Sequence, residues 1–531
     1  IIMSFFSTKN FFTSFLLVFF IIGSLLSVNV GISHDEWHEE QNWKYNLEIS
    51  KETKNKIFFN KERKTDVFTN KDKYYGVGFQ YISQPIQFFL KKLLFKYQNI
   101  NDFGSKLLSK HFVVFLFFFL SGILFFKLLK KVISQKNYCY VGAFIYLLYP
   151  YLFGHSLFNP KDIPFMSIWL LCTYLSLNLF EKVAKNNNIS FVKILLFALS
   201  TSFLLSIRVT GVLIFIQYLI SLIIFLNISE FNLVRFIKKF YLKILFFLLF
   251  LILFLFLLNP LYWISPLSFF YAIQWMSHYY HDVCTTTLGS CMKAKNLPSS
   301  YIFIWLSVKL PLIILTGLTL IPFTEKKILK NKSNIMVFGT LLTTSIIIPM
   351  LLIFANVNLY DEIRHILFLI PLFLFLGLVS LYFFSKKFFL IGGFLSIFLF
   401  LFENVKIHPY QYIWFNTPSR LIDLTNKFEL DYMGISGREI SKKIKKLNER
   451  KMCILVSPAY SVEPFLFKTK YDCFDKWQLI DTNYVRPFLA VQHVRNIKKT
   501  TPYNCKIVSD TGFKLLFHNK KFVTGKLLKC D

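Results

Sequence analysis

Several polar clusters interrupt an otherwise apolar sequence, and their residue types could do chemistry. The first, His34-Asp35-Glu36-Trp37-His38-Glu39-Glu40, follows directly on the apolar run 11–30. A carboxylate placed there could take a proton from an acceptor hydroxyl or amine, because lipid walls keep competing water away. The same oxygens could bind a divalent cation, which makes Asp35 and Glu36 candidate metal ligands as well. A solvated juxtamembrane loop is the plain alternative. The second cluster, Gly154-His155-Ser156-Leu157-Phe158-Asn159-Pro160-Lys161-Asp162-Ile163-Pro164, brackets Lys161 and Asp162 between prolines. Proline fixes the backbone and is expected to hold the charged pair in a rigid turn outside any helix, with a salt-bridged helix start as the other reading. Arg208 stands between two apolar segments, where a charge is costly unless it pairs or lines a wet cavity. Its guanidinium fork suits a phosphate. His278-Tyr279-Tyr280-His281-Asp282 sets two imidazoles three residues apart, as a metal site or as part of an aromatic belt at the interface. Tyr360-Asp361-Glu362-Ile363-Arg364-His365 and His408-Pro409-Tyr410-Gln411-Tyr412-Ile413-Trp414-Phe415-Asn416 complete the set.

The elements that position these clusters are written for lipid. The chain is 54% hydrophobic and 19% aromatic with 66 Phe, too apolar for an ordinary soluble surface. Eleven runs approach the length needed to cross about 30 Å of hydrocarbon: 11–30, 111–130, 138–153, 164–181, 192–207, 211–228, 243–259, 301–322, 335–355, 365–384 and 388–403. The fifth and sixth are separated only by Arg208 and its neighbours and could form one bent or re-entrant element. The first resembles a signal sequence without a small-residue cleavage site, and reads as an uncleaved span.

With the N-terminus cytoplasmic, the inside loops carry seventeen Lys and Arg and the short outside loops only Lys161, Arg208 and Arg364. That asymmetry is what the positive-inside rule predicts, so the net charge of +32 does not imply a nucleic-acid partner. Three larger regions then fall outside: 31–110, 260–300 and the tail 404–531. Every polar cluster lands on that face.

The tail reads as a small α/β domain, with strands at 453–456 and 487–491 and a helix at 441–451. Its 23 basic against 11 acidic residues suit anionic headgroups or glycolipids, and equally a merely basic soluble surface. Cys453, Cys473, Cys505 and Cys530 lie in the tail and Cys284 and Cys291 in the 260–300 loop, all on a face where disulfides could form. The tail cysteines allow three pairings, and the absence of a CxxC spacing argues against zinc. The expected fold class is therefore mainly α: a polytopic membrane region 1–403 of about eleven transmembrane helices, followed by a C-terminal extramembrane α/β domain, 404–531.

These motifs resemble the GT-C superfamily of polytopic glycosyltransferases, in the bacterial branch related to protein O-mannosyltransferases and lipid A aminoarabinose transferases. The resemblance is carried by Asp35-Glu36 after the first span, by Asn159-Pro160-Lys161-Asp162-Ile163-Pro164-Phe165, and by Pro298, Tyr301, Lys309 and Pro311. Tyr360-Asp361-Glu362-Ile363-Arg364-His365 with Pro371, His408-Pro409-Tyr410-Gln411-Tyr412 with Asn416, and Leu430-Asp431-Tyr432-Met433-Gly434 with Ser436 extend it over about residues 30–440. It implies a polyprenyl-phosphate sugar donor and inverting transfer, on the non-cytoplasmic face of the cell inner membrane, to a lipid, glycan or protein acceptor. On that resemblance Asp35 is the general base, Glu36 and Asp162 are supporting acids, and Lys161, Arg208 and Arg364 are donor-phosphate ligands. His155, Asn159, Asp361, His408, Tyr410 and Asn416 become candidate acceptor or sugar contacts. The crowding of Asp35 by His34, His38, Glu39 and Glu40 departs from the family pattern and leaves a divalent cation open.

A transporter or flippase of lipid-linked anions is the alternative function. It would require charges at mid-bilayer in several spans and an internal repeat, and the spans contain almost no acids. A receptor or assembly scaffold would leave Asp35 and Lys161 without a purpose.

Overall fold

In the computed structural model of the protein, the described residues are 9–60, 72–185, 189–229, 231–279, 283–447, 452–456, 458–466, 474–475, 487–493 and 505–530. The principal helices are α1 (Lys9–Ser27), α2 (His34–Phe59), α3 (Gly78–Gln98), α4 (Asp102–Leu129), α5 (Lys136–Leu148), α6 (Pro150–Ser156) and α7 (Asp162–Ala184). They continue with α8 (Phe191–Ile207), α9 (Val209–Ile228), α10 (Leu233–Leu257), α11 (Tyr301–Lys309), α12 (Leu312–Thr319), α13 (Lys332–Phe354), α14 (Arg364–Phe384), α15 (Lys386–Lys406) and α16 (Gly437–Leu447).

Among the described residues, eight helices are long and apolar enough to cross a bilayer: α1, α4, α7, α9, α10, α13, α14 and α15. A ninth crossing results if α11 and α12, bent by 120°, are one span. The chain is a polytopic membrane protein of mainly helical fold. Two of the eleven expected spans differ for local reasons. The run 138–153 breaks into α5 and α6 at Tyr149, which is extended (φ −56°, ψ 113°) because Pro150 follows it. Helix α8 has only 17 residues and ends at Arg208, whose extended backbone (φ −146°, ψ 133°) makes α8 and α9 two elements joined at that arginine. Pro311 produces the α11–α12 bend in the same way as Pro150. An apolar run reads as continuous across such breaks.

Helix α14 is the centre of the bundle, buried along nearly all of its length, whereas α10 is mostly exposed and faces outward. Against α14 lies α12, and a Cβ on Gly317 would sit 2.1 Å from the Gly377 carbonyl oxygen, so the two backbones touch there.

Strands β1 (Cys284–Thr287) and β2 (Ser290–Lys293) form an antiparallel hairpin closed by the disulfide Cys284–Cys291. The tail holds a five-stranded sheet of order β4-β3-β5-β7-β6, made of β3 (Cys453–Val456), β4 (Phe474–Asp475), β5 (Phe488–His493), β6 (Cys505–Phe513) and β7 (Phe522–Cys530). Here β3 runs parallel to β4 and β5, while β5, β7 and β6 are antiparallel, so the α/β expectation holds. The expected tail helix lies four residues earlier, at Gly437–Leu447. Cys505 bridges to Cys530 directly opposite it in the ladder, and Cys453 is also disulfide-bonded, while Cys473 lies outside the described residues.

The proposed division at 403 falls near the end of α15, but the segment beyond it still packs on the helices through Ile407, Tyr412, Phe415 and Ile435. A second core of Ile440, Ile454, Val491 and Leu527 belongs to the sheet. The joint between them is polar and buried: the Arg420 guanidinium pairs with Glu403, which also accepts from the Trp414 indole. Arg420→Gln leaves Glu403 as a buried charge without its cation and is expected to cost about 3–5 kcal/mol, read as a lower melting temperature in detergent. An unchanged transition would mean that Glu403 finds another partner.

Candidate functional site

The first turn of α2 sends its two acids in opposite directions. Glu36 turns inward, fully buried, where it accepts from the Ser33 backbone N–H at 2.6 Å and lies 2.6 Å from His111 Nε2. Asp35 faces a cavity, its Oδ2 2.7 Å from Arg364 Nη2. Burial alone would raise the Asp35 carboxyl, but the charge and hydrogen bond of Arg364, with smaller help from His34 and His38, hold it below the ordinary carboxylate range.

The proline-bracketed segment is built on Asn159. Its Oδ1 accepts from the backbone N–H groups of Lys161 (3.2 Å) and Asp162 (3.0 Å), and its Nδ2 donates to Asp162 Oδ2 (2.9 Å). Asp162 is not kept out of a helix, as expected from the prolines, but is the first residue of α7. Pro164 is tolerated there because a first-turn N–H has no intrahelical partner to lose. His155 lies behind this turn, 3.0 Å from Asn159 Nδ2 and 3.1 Å from the Tyr432 hydroxyl, and burial pushes its imidazole well below the usual range.

Asp162 is 1% exposed and holds both arginines in place: it pairs directly with Arg208 and lies 3.7 Å from Arg364 Nε. Lys161 donates to Glu39 Oε1 (2.8 Å) and the Gly76 carbonyl (3.1 Å), with Nζ 4.9 Å above the Tyr75 ring.

Arg364 is aimed by an unusual turn. Asp361 (φ 56°) and Glu362 (φ 65°) are consecutive non-glycine residues in the left-handed region, a conformation that costs free energy and persists only where its surroundings enforce it. The Asp361 N–H donates to Thr285 Oγ1 (2.9 Å), and its carboxylate lies 3.5 Å from Arg364. Glu362 turns the other way, to Lys309 Nζ at 2.9 Å, and burial raises its carboxyl to about 8 against the opposing pull of that lysine.

The structure thus brings Asp35, Lys161, Arg208, Asp361 and Arg364 onto the wall of one cavity of about 270 Å³, with Asp162 directly behind it. Glu36, His155 and Asn159 support that wall from inside. His408, Tyr410 and Asn416 are elsewhere: His408 meets Gln411, Tyr410 donates to Glu439, and Asn416 donates to the Ser307 and Leu310 carbonyls. They fasten the segment after α15. His281 and Asp282 lie outside the described residues. Among the described residues, no group of three or more His, Cys, Asp or Glu is placed to hold a metal ion.

Sequence reading did not single out Glu39, Tyr75, Tyr360 and His365 as lining residues. Glu39 was recoverable, because it stands one helical turn after Asp35 and shares its face once 34–59 is a helix. Nothing in the sequence marks Tyr75, which arrives from a long connection.

No family model matches the sequence, and neither does any curated protein. Two solved structures of ArnT from Cupriavidus metallidurans are similar along nearly the whole length. The form bound to undecaprenyl phosphate has a TM-score of 0.47 and the apo form 0.48, each at 11% identity with 98% of this chain covering 97% of theirs. At that identity no residue role passes from those chains to this one. Fold and cavity together define a polytopic membrane protein whose buried charges gather where α7, α8 and α14 begin or end.

Proposed function

We propose that the protein is a membrane glycosyltransferase of the GT-C type, moving a sugar from a polyprenyl-phosphate donor to an acceptor on the non-cytoplasmic face of the cell inner membrane. The observation that carries this reading is the single cavity in which a carboxylate, Asp35, stands against a guanidinium, Arg364, with Arg208 and Lys161 beside them. The motif resemblance supports the donor class and the inverting course.

In the proposed reaction an acceptor hydroxyl or amine attacks the anomeric carbon as the bond from that carbon to the phosphate oxygen breaks. Its proton passes to Asp35, and the phosphate leaves as an anion held by Arg364, Arg208 and Lys161. Arg364 grips Asp35 through Oδ2, and the other carboxylate oxygen is assigned the proton. Glu36 and Asp162 act by position: one caps the helix that carries Asp35, and the other spaces the two arginines. A flippase is less well supported, because these charges sit at helix ends rather than at mid-span.

Purified protein reconstituted with a labelled polyprenyl-phosphate sugar and a mixed acceptor extract is expected to release free polyprenyl phosphate. Movement of intact donor across the vesicle membrane, with none cleaved, would favour the flippase. The pH profile is a second check. A carboxylate held below its ordinary pKa stays charged as pH falls through the ordinary range, so turnover is expected to keep its rate from pH 7 to about 5. An acid limb centred between about 6 and 7 would point to a histidine base instead.

Orientation follows from the loop charges. In a background lacking the free cysteines Cys139 and Cys172, cysteines placed at Lys130 or Asn331 are expected to be shielded from an impermeant thiol reagent in intact cells. Cysteines at Asn356 or Val508 are expected to react. The opposite pattern would place the cavity on the cytoplasmic side.

A further inference from the structure

The turn that carries Asp35 does not hold its own position. It is gripped by the tail, through contacts that the proposed chemistry does not use. Both backbone polar groups of His34, the residue before Asp35, are engaged from beyond residue 430: its N–H donates to the Met433 carbonyl (2.9 Å), and its carbonyl accepts from the Tyr460 hydroxyl (3.0 Å). Trp37, two residues past Asp35, lies parallel to the Tyr460 ring, with 5.8 Å between centroids and 5° between planes. Gly434, at φ +67°, presses on the His34 ring so closely that a Cβ would come within 2.1 Å of Nε2. His493 of β5 meets the same ring edge-on at 5.6 Å and is itself fixed by the Ser436 and Ser461 hydroxyls, each at 3.0 Å.

Two further anchors keep the grip in register. Arg438 spends its guanidinium on uncharged acceptors at the end of α1 and α3: the Val28 and Val30 carbonyls (2.9 and 3.3 Å), Asn29 Oδ1 (3.1 Å) and Gln98 Oε1 (3.2 Å). Phe465 inserts beside Ile32, Ile100, Leu107 and Leu108, with Tyr460 packed on that cluster. Contacts from four places, the segment at Met433 and Gly434, helix α16, the loop 458–466 and strand β5, therefore converge on residues 28–37.

We infer that this part of the tail is a positioning device for the reaction, with Tyr460 as its central positioning residue, holding the first turn of α2 so that Asp35 meets both Arg364 and the acceptor. The inference rests on Asp35 being the base. Its physical basis is the steep dependence of rate on alignment, where a misplacement of about 1 Å can cost about a hundredfold. It gives the C-terminal sheet a task in turnover rather than in folding alone.

The test is a double-mutant cycle on the full-length protein. Tyr460→Phe keeps the ring on Trp37 and in the apolar cluster but deletes the hydrogen bond to the His34 carbonyl. It is expected to lower kcat about fivefold to tenfold through looser alignment of Asp35, with donor KM unchanged and the melting temperature lowered by no more than about two degrees, the worth of one hydrogen bond in a chain of this size. In an Asp35→Asn background the same substitution should have no further effect, because there is no base left to align. Arg438→Gln, on the other anchor, should show the same dependence on Asp35. A full additional loss in the Asp35→Asn background, an unchanged kcat in Tyr460→Phe, or a fall in kcat accompanied by a fall in melting temperature beyond the worth of one hydrogen bond would each overturn the inference. Failure of the parent reading would look different: either the wild-type protein would transfer no sugar at all, or Asp35→Asn alone would turn over normally.

Discussion

Asp35→Asn is expected to lower turnover by about a hundredfold to ten-thousandfold, the usual consequence of losing a general base, while donor binding survives. The amide keeps the size of the carboxylate and can still accept a hydrogen bond from Arg364, but it cannot take a proton. Two companions sharpen the result. Glu36→Gln touches a carboxylate buried against Ser33 and His111, so its loss should appear in stability before it appears in rate. Asp162→Asn weakens the placement of Arg208 and Arg364 and should raise the donor KM. If Asp162→Asn is dead while Asp35→Asn turns over normally, the base lies at the start of α7. If Asp35→Asn loses donor binding together with rate, a metal-binding or structural role replaces proton transfer.

Arg364→Gln is expected to have the second large effect. Asp35, Asp361 and Asp162 all lie within 4 Å of this one guanidinium, and without it two carboxylates on the cavity wall and a third directly behind it lose a shared cation. Removing one partner from a buried charge cluster typically costs about 3–5 kcal/mol of stability. The loss of one charged hydrogen bond to the donor phosphate adds a weakening of about 1.5–3 kcal/mol in binding, or roughly tenfold to more than a hundredfold. Arg364→Lys separates the two effects, since an ammonium keeps the charge but cannot reproduce the planar fork. It should recover most of the melting temperature and little of the donor affinity. Wild-type donor affinity in both variants would reassign Arg364 to a purely structural ion pair.

Much of this arrangement is legible in the sequence, and the parts that are not have physical reasons. The apolar runs and the loop charges define a membrane protein with its polar clusters on one face, because lipid imposes length and charge rules that act locally. Asp35, Lys161, Arg208, Asp361 and Arg364 stand out because each is a charge beside apolar sequence, and all five line the cavity. His408, Tyr410 and Asn416 stand out for the same polarity, yet they tie the chain down after α15, and nothing local distinguishes a fastening residue from a lining one. The helix breaks before Pro150 and Pro311 are visible as prolines, but whether a proline kinks a span or ends it depends on what packs against it. The two left-handed residues that aim Arg364 are Asp361 and Glu362, neither a glycine. The turn is enforced by tertiary contacts such as the one to Thr285, which no spacing reveals. The same holds for Tyr460, more than four hundred residues from the carboxylate it is inferred to position.

Whether Asp35 acts as the base of a sugar transfer is decided by a single-turnover measurement. Enzyme in excess over a labelled polyprenyl-phosphate sugar is mixed with an acceptor extract, and free polyprenyl phosphate and transferred sugar are counted in the same sample, for wild type and Asp35→Asn side by side. Both proteins are expected to bind the donor equally, the wild type to release one polyprenyl phosphate for each sugar transferred, and Asp35→Asn to retain the donor intact. Equal release by the two proteins would contradict Asp35 as the base, and wild-type protein that binds the donor without ever cleaving it would contradict the transferase.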